Sequence, residues 1–339
     1  MRVSFIMNRR NPNLEIKDSI SRVKTVVILS VITSILAFLC IFIGDIAAPF
    51  AAALYAMLIL VESPKRRVVS YAIPALAILA DILINGISGY GCIQFTVAGI
   101  LIALAFRKKF RKTTLTAMLC ATFILFIIWG LCCTAFKGTG VYTLESVKDF
   151  YFNILGTVKD ELIDALTKVP ISVTKEGENI YLTVTDAATL VNAVFNLFVS
   201  FVAIIAFLLS GITIKIFSAI AVRVAASEDE VRSWIFITTS AFAYAYLAVF
   251  VINLFSAGMG AVASAVIANL YLIMMVIYAY LGAKLLLGFI MNSQRRFFFL
   301  TIVLFIILSM NFYSLVPLSL LGTYGVIVTN RHVNFDTKE

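Results

Sequence analysis

Long apolar segments, separated by short polar loops, run along most of the chain. A helix that crosses a bilayer needs about 20 mostly apolar residues. The apolar segments near or above that length are 25–43, 46–61, 68–86, 89–106, 113–135, 188–222, 234–256, 260–290 and 297–320. The pattern predicts an all-α, polytopic helical membrane protein with about eight or nine transmembrane helices.

Two of these segments leave the path through the membrane ambiguous. Residues 188–222 are long enough for a hairpin, but a hairpin would place Arg295 and Arg296 on the outer side. Because cytoplasmic loops retain Lys and Arg, we expect one long helix of about 50 Å, at 1.5 Å per residue. In the last segment a polar residue and Pro317 interrupt the apolar run, so 297–328 is either one crossing or a hairpin. The side of the C-terminus stays open.

Residues 136–187 have the pattern of a small extracytoplasmic insert. From Leu144 to Val169, apolar residues recur every three or four positions and form one helical face. We expect this amphipathic helix to rest on the outer membrane surface or on the mouth of the bundle, with a solvated connector as the alternative. After Pro170, β-branched and polar residues alternate around Gly177, which predicts a short β-hairpin.

The composition supports a membrane location. Hydrophobic residues make up 62% of the 339 residues, charged residues make up 13%, and the mean hydropathy is +1.03. A soluble domain does not cover its surface with so few charges. The net charge of +9 comes from short basic clusters between apolar segments rather than from one soluble face. It therefore does not indicate a nucleic-acid partner.

The basic clusters also predict the orientation. The N-terminal tail is basic, and so are the loops after the second, fourth, sixth and eighth apolar segments. Because Lys and Arg stay on the cytoplasmic side, we expect a multi-pass protein with a cytoplasmic N-terminus. The predicted regions are a cytoplasmic basic tail over 1–24, a five-helix membrane region over 25–135, the extracytoplasmic insert over 136–187, C-terminal membrane helices over 188–326, and a tail over 327–339.

Several polar side chains fall within apolar segments, toward their predicted outer ends. Asp81 lies about 20 Å along its helix from Val68, and a carboxylate at that depth normally faces a partner or a cavity. The residues that we expect to cluster with Asp81 are Asn85, Gln94, Asn192 and Asn196. Three interpretations remain: a solute pocket that opens to the outside, hydrogen bonds between helices, and simple placement at the interface.

No motif indicates catalysis or a cofactor. The phosphate-binding patterns G-x-x-x-x-G-K-[ST] and G-x-G-x-x-G do not occur between a strand and a helix, and GISGYG (86–91) belongs to a short outer turn. The single histidine, His332, lies in the tail, which argues against a Ser-His-Asp arrangement and a zinc site. The five cysteines are interpreted as small buried hydrophobes, with a disulfide or metal site as the alternative. We predict no enzyme activity, metal or cofactor.

Several stretches resemble the YybS-like family, a group of predicted bacterial membrane proteins catalogued as a domain of unknown function. They are ESPKRRVVSYAIPALAILADILINGISG (62–89), the basic loop RKKFRK (107–112), the long insert, and the ending LLGTYGVIVTNRHVNFD (320–336). The ending looks like a degenerate version of the family's own. The resemblance covers most of the chain and implies a protein of the bacterial cytoplasmic membrane.

That family is in turn similar to the substrate-binding S-components of energy-coupling-factor transporters. Those components bind vitamins or metal ions and pair with a membrane coupling subunit and ATPases, which implies an outward-facing solute site. The resemblance also implies that small residues of the first helix dock the coupling subunit. Ser30 and Ser34 stand where such components carry an alanine pair at the same spacing. This chain has more apolar segments than such components usually have.

Two functions are consistent with the sequence. The first is a non-catalytic integral membrane subunit that captures a small solute from outside and relies on separate ATPases. The second is a structural or regulatory membrane protein without a solute site, whose polar residues only join helices. The lipid bilayer is a partner in both. The polar cluster and the insert favour the first.

Overall fold

The computed structural model describes residues 19–62, 68–86, 89–173, 179–224, 238–291 and 315–336, most of them helical. The helices are α1 (Ser19–Val61), α2 (Val68–Asn85), α3 (Gly91–Arg107), α4 (Lys112–Thr139), α5 (Leu144–Lys168), α6 (Val184–Asn196), α7 (Phe198–Val224), α8 (Ser240–Leu254), α9 (Ala261–Met291) and α10 (Leu315–Asp336). Two short strands, β1 (Pro170–Val173) and β2 (Asn179–Tyr181), pair antiparallel. They lie where the sequence predicts a hairpin.

Part of the helix set has the length and composition of membrane spans, so the fold is that of a helical membrane protein. The five spanning segments are Val23–Gly44, Val68–Asn85, Lys112–Thr139, Phe198–Val222 and Ala261–Ile290. Shorter apolar helices, of 10–17 residues, are Ile46–Val61, Gly91–Arg107, Ser240–Leu254 and Leu315–Thr329. The described residues therefore support five spanning helices rather than the predicted eight or nine, because the other apolar helices are shorter than the roughly 20 residues that a spanning helix usually has.

Helix α1 breaks at Ile43, whose φ of −130° and ψ of 46° are not helical. The break confirms the boundary that the sequence predicts between the first two apolar segments. Both halves of α1 contact α3. In the first half the Ala37 carbonyl oxygen lies 3.5 Å from the Cys92 sulfur, and in the second half the Ile59 carbonyl accepts a 3.0 Å bond from Arg107.

The predicted single helix over 188–222 is wrong, because α6 ends at Asn196 and α7 begins at Phe198. Neither glycine nor proline marks the junction. Asn269 of α9 holds it instead: its Nδ2 donates to the Asn196 carbonyl (2.6 Å), and its Oδ1 accepts from the Ser200 backbone N–H (3.0 Å). An amide that replaces lost helical partners in this way stabilises a break in the backbone.

The last predicted segment, 297–320, falls mostly outside the described residues. Its final residues begin α10, which starts at Leu315 and continues to Asp336. Pro317 therefore stands in the first turn of a helix, and the predicted interruption before it lies outside the described residues. Proline is tolerated there because the first N–H groups of a helix have no helical acceptor.

Local signals account for several helix ends. Gly140 ends α4 in the left-handed conformation, with φ +69°, which glycine adopts without strain. Thr183 precedes α6 and accepts a 3.2 Å bond from the Asp186 backbone N–H. Thr239 caps the start of α8 in the same way, through the N–H of Phe242. Side-chain oxygens at these positions satisfy N–H groups that lack helical partners.

The described helices group into two compact units, each with its own apolar core. The first unit comprises Met1–Phe150 and Ile205–Phe236, and the second comprises Tyr151–Ile204 and Ile237–Glu339. The core of the first unit includes Phe95, Phe123 and Phe217. The core of the second includes Tyr246 and Tyr278. The later part of α7 thus belongs to the same unit as the N-terminal helices.

In the second unit, α9 and α10 approach each other through glycine. A Cβ on Gly282 would collide with the Leu318 carbonyl oxygen, and a Cβ on Gly322 would collide with the Tyr278 carbonyl oxygen. Small residues allow membrane helices to pack backbone against backbone. This crossing therefore requires glycine on both helices.

Candidate functional site

The Asp81 side chain is 1% exposed, and its carboxylate caps α3. Oδ2 accepts a 2.9 Å hydrogen bond from the backbone N–H of Cys92, the second residue of that helix. Tyr90, which precedes α3, makes no capping bond with its own side chain. A negative charge at a helix N-terminus interacts favourably with the N–H groups and with the helix dipole. The Asp81 carboxylate of α2 is thus bonded to the first turn of α3, the next helix.

Asn85 lies one turn after Asp81 and links the carboxylate to α1. Its Nδ2 donates to Asp81 Oδ1 (2.9 Å) and to the Ile41 carbonyl oxygen (2.8 Å). Ile41 lies two residues before the break in α1, where the helical hydrogen-bond pattern is interrupted. We call Asp81, Asn85, the Cys92 N–H and the Ile41 carbonyl the Asp81 cluster. It joins α1, α2 and α3, as expected for polar groups that bond helices together.

Glycines allow close approach to the Asp81 cluster. A Cβ on Gly89 would lie 2.6 Å from the Asp81 carbonyl oxygen and 3.0 Å from Oδ1. A Cβ on Gly91 would collide with the Cys40 carbonyl oxygen. Gly86 differs, because its surroundings are open and its φ is +61°. Two glycines of the turn thus serve packing, and one serves the backbone conformation.

Gln94 is fully buried on α3. In the described part of the chain, neither its Oε1 nor its Nε2 has a hydrogen-bond partner. A buried amide without a partner costs about 1–3 kcal/mol. Gln94 therefore shares a helix with the Cys92 N–H but makes no hydrogen bond to Asp81 or Asn85.

Asn192 and Asn196 belong to α6, in the second unit. The prediction that they accompany Asp81 assumed one continuous helix over 188–222. The break after Asn196 places both on a separate helix, where their side chains are exposed. Asn192 Oδ1 accepts a 2.9 Å bond from Lys159 of α5, and the Asn196 carbonyl accepts from Asn269. Their described contacts are therefore with α5 and α9.

Glu62 caps α2 much as Asp81 caps α3, and it is not among the polar residues predicted from the sequence. Its side chain is buried. Oε1 accepts from the Val69 N–H (3.2 Å), and Oε2 accepts from both the N–H (2.9 Å) and the hydroxyl of Ser70. Tyr55 donates a 2.9 Å bond to the Ser70 carbonyl. Glu62 precedes α2 by more residues than a local capping motif spans, so no sequence pattern marks it.

The two serines of α1 have different surroundings. Ser30 is half-buried, and its hydroxyl donates to the Val26 carbonyl of its own helix (2.6 Å). Ser34 is exposed, whereas Thr33 and Ala37 are buried in the first unit. Ser34 is thus accessible to a partner helix, and docking there stays a prediction.

An apolar groove of about 550 Å³ adjoins the Asp81 cluster. Its lining residues are Ile82, Gly86, Gly89, Tyr90, Ile93, Phe126 and Trp129. The rings of Tyr90 and Phe126 stack, with centroids 6.4 Å apart. Gly89 lies against Asp81 on one side and lines the groove on the other, so the carboxylate lies behind the wall. A ligand in this groove meets aliphatic and aromatic surfaces rather than a charge.

Comparisons with known proteins identify no family. No protein-family model, curated protein or solved structure matches the chain. The fold and the site define the class: a helical membrane protein with a helix-joining polar cluster beside an apolar groove. Any more particular function has to be argued from that geometry.

Proposed function

We propose that this chain is a non-catalytic integral membrane subunit that binds a small apolar molecule in the groove between α2, α3 and α4. One observation carries the proposal: a groove of about 550 Å³ with an aliphatic and aromatic lining. Small-molecule sites have volumes of this order and are mostly apolar. The Asp81 carboxylate, behind the groove wall, already accepts hydrogen bonds from the Cys92 N–H of α3 and from Asn85. A hydrocarbon or aromatic solute therefore suits the groove better than a charged one, which is costly to bury without partners.

The proposal retains the arrangement that the resemblance implies. The chain is an S-component-like subunit of the bacterial cytoplasmic membrane, with its N-terminus in the cytoplasm, and it captures its solute from outside. A membrane coupling subunit with ATPases supplies the energy. The exposed Ser34, near Ser30 on α1, supports docking of such a partner.

We further propose that shorter apolar helices also cross the bilayer and give eight or nine crossings. The apolar composition of these helices supports this. The very short turn between α2 and α3 also supports it, because it makes α3 a continuation of the path that begins with the spanning helix α2. Reporter fusions test the topology. A fluorescent protein inserted at Lys65 should fold in the cytoplasm, and alkaline phosphatase inserted at Gly140 should be active outside. The opposite pattern contradicts the orientation.

Native mass spectrometry of the purified protein tests the groove. The parent should retain a small apolar molecule from its membrane. Ile93→Trp fills the groove and should remove that molecule. Ile100→Trp, at an exposed position of α3 outside the groove, should not. A parent without a bound molecule, or equal retention by both variants, contradicts the proposal.

Affinity purification in mild detergent tests the partners. Recovery of a membrane coupling subunit together with ATPases supports the transport arrangement. Repeated purification without either protein contradicts it. Ser34→Trp should reduce recovery several-fold if α1 docks the coupling subunit, and Ile35→Trp, the next exposed position, provides a control for bulk on this helix.

A structural or regulatory membrane protein is the second candidate function. The Asp81 cluster favours it, because both carboxylate oxygens are used within the protein. If this second function is correct, the groove holds only bulk lipid. Asp81→Asn then changes the stability of the protein and no binding property. Under the first function the same variant should still retain the apolar molecule, because the carboxylate lies behind the groove wall.

A further inference from the structure

Helix α5 presents an apolar stripe that the described residues leave exposed. None of the 25 residues of α5 is buried. Along one face, Ile154, Val158 and Leu162 are 37–43% exposed. Their spacing of four places them on the same side of the helix. Apolar stripes of this length mark surfaces that meet a partner or a membrane.

A different face of α5 contacts the protein. Lys159 donates a 2.9 Å hydrogen bond to Asn192, and its ammonium lies 5.2 Å from the centre of the Phe195 ring. Gly156 and Ile163, three and four positions away, are half-buried on the same side. At 3.6 residues per turn, this face lies roughly a third of a turn away from the apolar stripe.

A third face of α5 is acidic. Asp149, Asp160 and Asp164 are exposed. They lie roughly opposite the apolar stripe at 3.6 residues per turn. A helix with apolar and charged faces opposed in this way rests in the plane of a membrane interface. The alternative of α5 resting on the bundle mouth requires the stripe to be buried against protein, and the described part of the chain does not bury it.

The start of α5 lies close to the end of a spanning helix. Only residues 140–143 separate α4 from α5. A Cβ on Gly138 of α4 would collide with the ring of Phe150, so the first part of α5 packs beside the end of α4. In the link, Val141 and Tyr142 are exposed, and the ring centroid of Tyr142 lies 5.2 Å from that of Phe136 of α4. The first part of α5 therefore lies beside the end of a helix that has the length and composition of a membrane span.

We propose that α5 lies on the membrane surface where α4 ends, with Ile154, Val158 and Leu162 in the boundary between headgroups and acyl chains. Lys159 then faces α6, and the aspartates face water. The lipid involved is zwitterionic or neutral, because α5 carries more acids than lysines. Burial of apolar surface drives the contact rather than attraction to anionic headgroups. The proposal is independent of any solute in the groove.

Lipid quenching of tryptophan fluorescence tests this placement in the full-length chain. Leu162→Trp puts an indole on the stripe, and Asp160→Trp puts one on the acidic face, both at exposed positions. Each variant is reconstituted in phosphatidylcholine vesicles whose acyl chains carry bromine near the headgroup. The signal of the native Trp129 and Trp234, measured in the parent, is subtracted. We expect quenching of Leu162→Trp to exceed that of Asp160→Trp at least two-fold.

Aqueous iodide completes the test. It should quench Asp160→Trp more strongly than Leu162→Trp. Equal bromolipid quenching of the two variants overturns the proposal, and so does a Leu162→Trp signal that neither quencher reaches, because that result places protein over the stripe. Val158→Trp repeats the stripe measurement one turn earlier, so that a folding defect in a single variant does not decide the outcome.

Discussion

The Asp81 carboxylate lies 2.9 Å from the backbone nitrogen of Cys92 and thereby joins the interior of α2 to the first turn of α3. The same carboxylate accepts from Asn85, which in turn reaches the Ile41 carbonyl of α1. A charge in an apolar helix is therefore balanced by fixed donors of the protein. Its primary effect is on how three helices are held together.

Asp81→Asn is expected to destabilise the protein. A carboxamide has one oxygen, so its NH2 group must face a donor, either the Cys92 N–H or Asn85 Nδ2. Loss of a hydrogen bond to a charged group costs about 1.5–3 kcal/mol. Thermal unfolding in one detergent, followed by tryptophan fluorescence, should show a lower Tm. Asp149→Asn, on the exposed face of α5, should leave Tm unchanged, and equal effects of the two changes contradict the capping role.

Glu62→Gln should weaken the start of α2. The change removes the negative charge and places an amide donor beside the N–H groups of Val69 and Ser70. Loss of a helix cap costs about 0.5–2 kcal/mol, measurable as a lower midpoint of chemical denaturation. Glu161→Gln is the matched control, since Glu161 is exposed on α5. A midpoint equal to that of the parent shows that Glu62 does not cap α2.

Gly91→Ala should force α3 away from α1. Its Cβ would collide with the Cys40 carbonyl oxygen, and insertion of a methyl group into a tight contact costs about 1–3 kcal/mol. Gly211→Ala is the control on α7, where nothing lies within 4 Å of the added Cβ. That change should be neutral or stabilise by up to about 1 kcal/mol, because alanine favours helix. Temperature-dependent size-exclusion chromatography compares the stability of the two variants. A Gly91→Ala variant as stable as Gly211→Ala contradicts the close contact between Gly91 and the Cys40 carbonyl.

Gly282→Ala tests the crossing of α9 and α10. The new methyl group has no space beside the Leu318 carbonyl, so the variant should lose about 1–3 kcal/mol of stability. Gly288→Ala, on the same helix and with open space around it, should not lose stability. Protease resistance during heating gives the comparison. Identical resistance of the two variants indicates that α9 and α10 do not meet at Gly282.

The Asp81 cluster was only partly predictable from sequence. Asp81 and Asn85 are four residues apart within one apolar segment, which places them on one helical face. Their other partners are the N–H of Cys92 and the carbonyl of Ile41, and every residue carries such groups, so no side-chain pattern marks them. The helix boundaries near them were predictable because apolar runs and short turns alternate there.

The junction at Leu197 and its partner Asn269 show where periodicity fails. The apolar run continues through Leu197 without glycine, proline or charge, so hydropathy predicts an unbroken helix. Asn269 is the only side-chain amide in α9, and the depth argument applied to Asp81 applies equally to it. Its bonds to Asn196 and Ser200 appear only when α9 packs against the junction, which local sequence does not encode.

The two buried acids share an order along the chain that bears on biosynthesis. Glu62 comes before α2 and accepts hydrogen bonds from N–H groups in its first turn. Asp81 comes before α3 and accepts a hydrogen bond from an N–H group in the first turn of that helix. Each acceptor is thus already translated when the helix that needs it emerges from the ribosome. The N–H groups at the start of each new helix can therefore bond to a carboxylate that is already synthesised. These capping contacts of α2 and α3 can form in the order of synthesis, without any later segment of the chain.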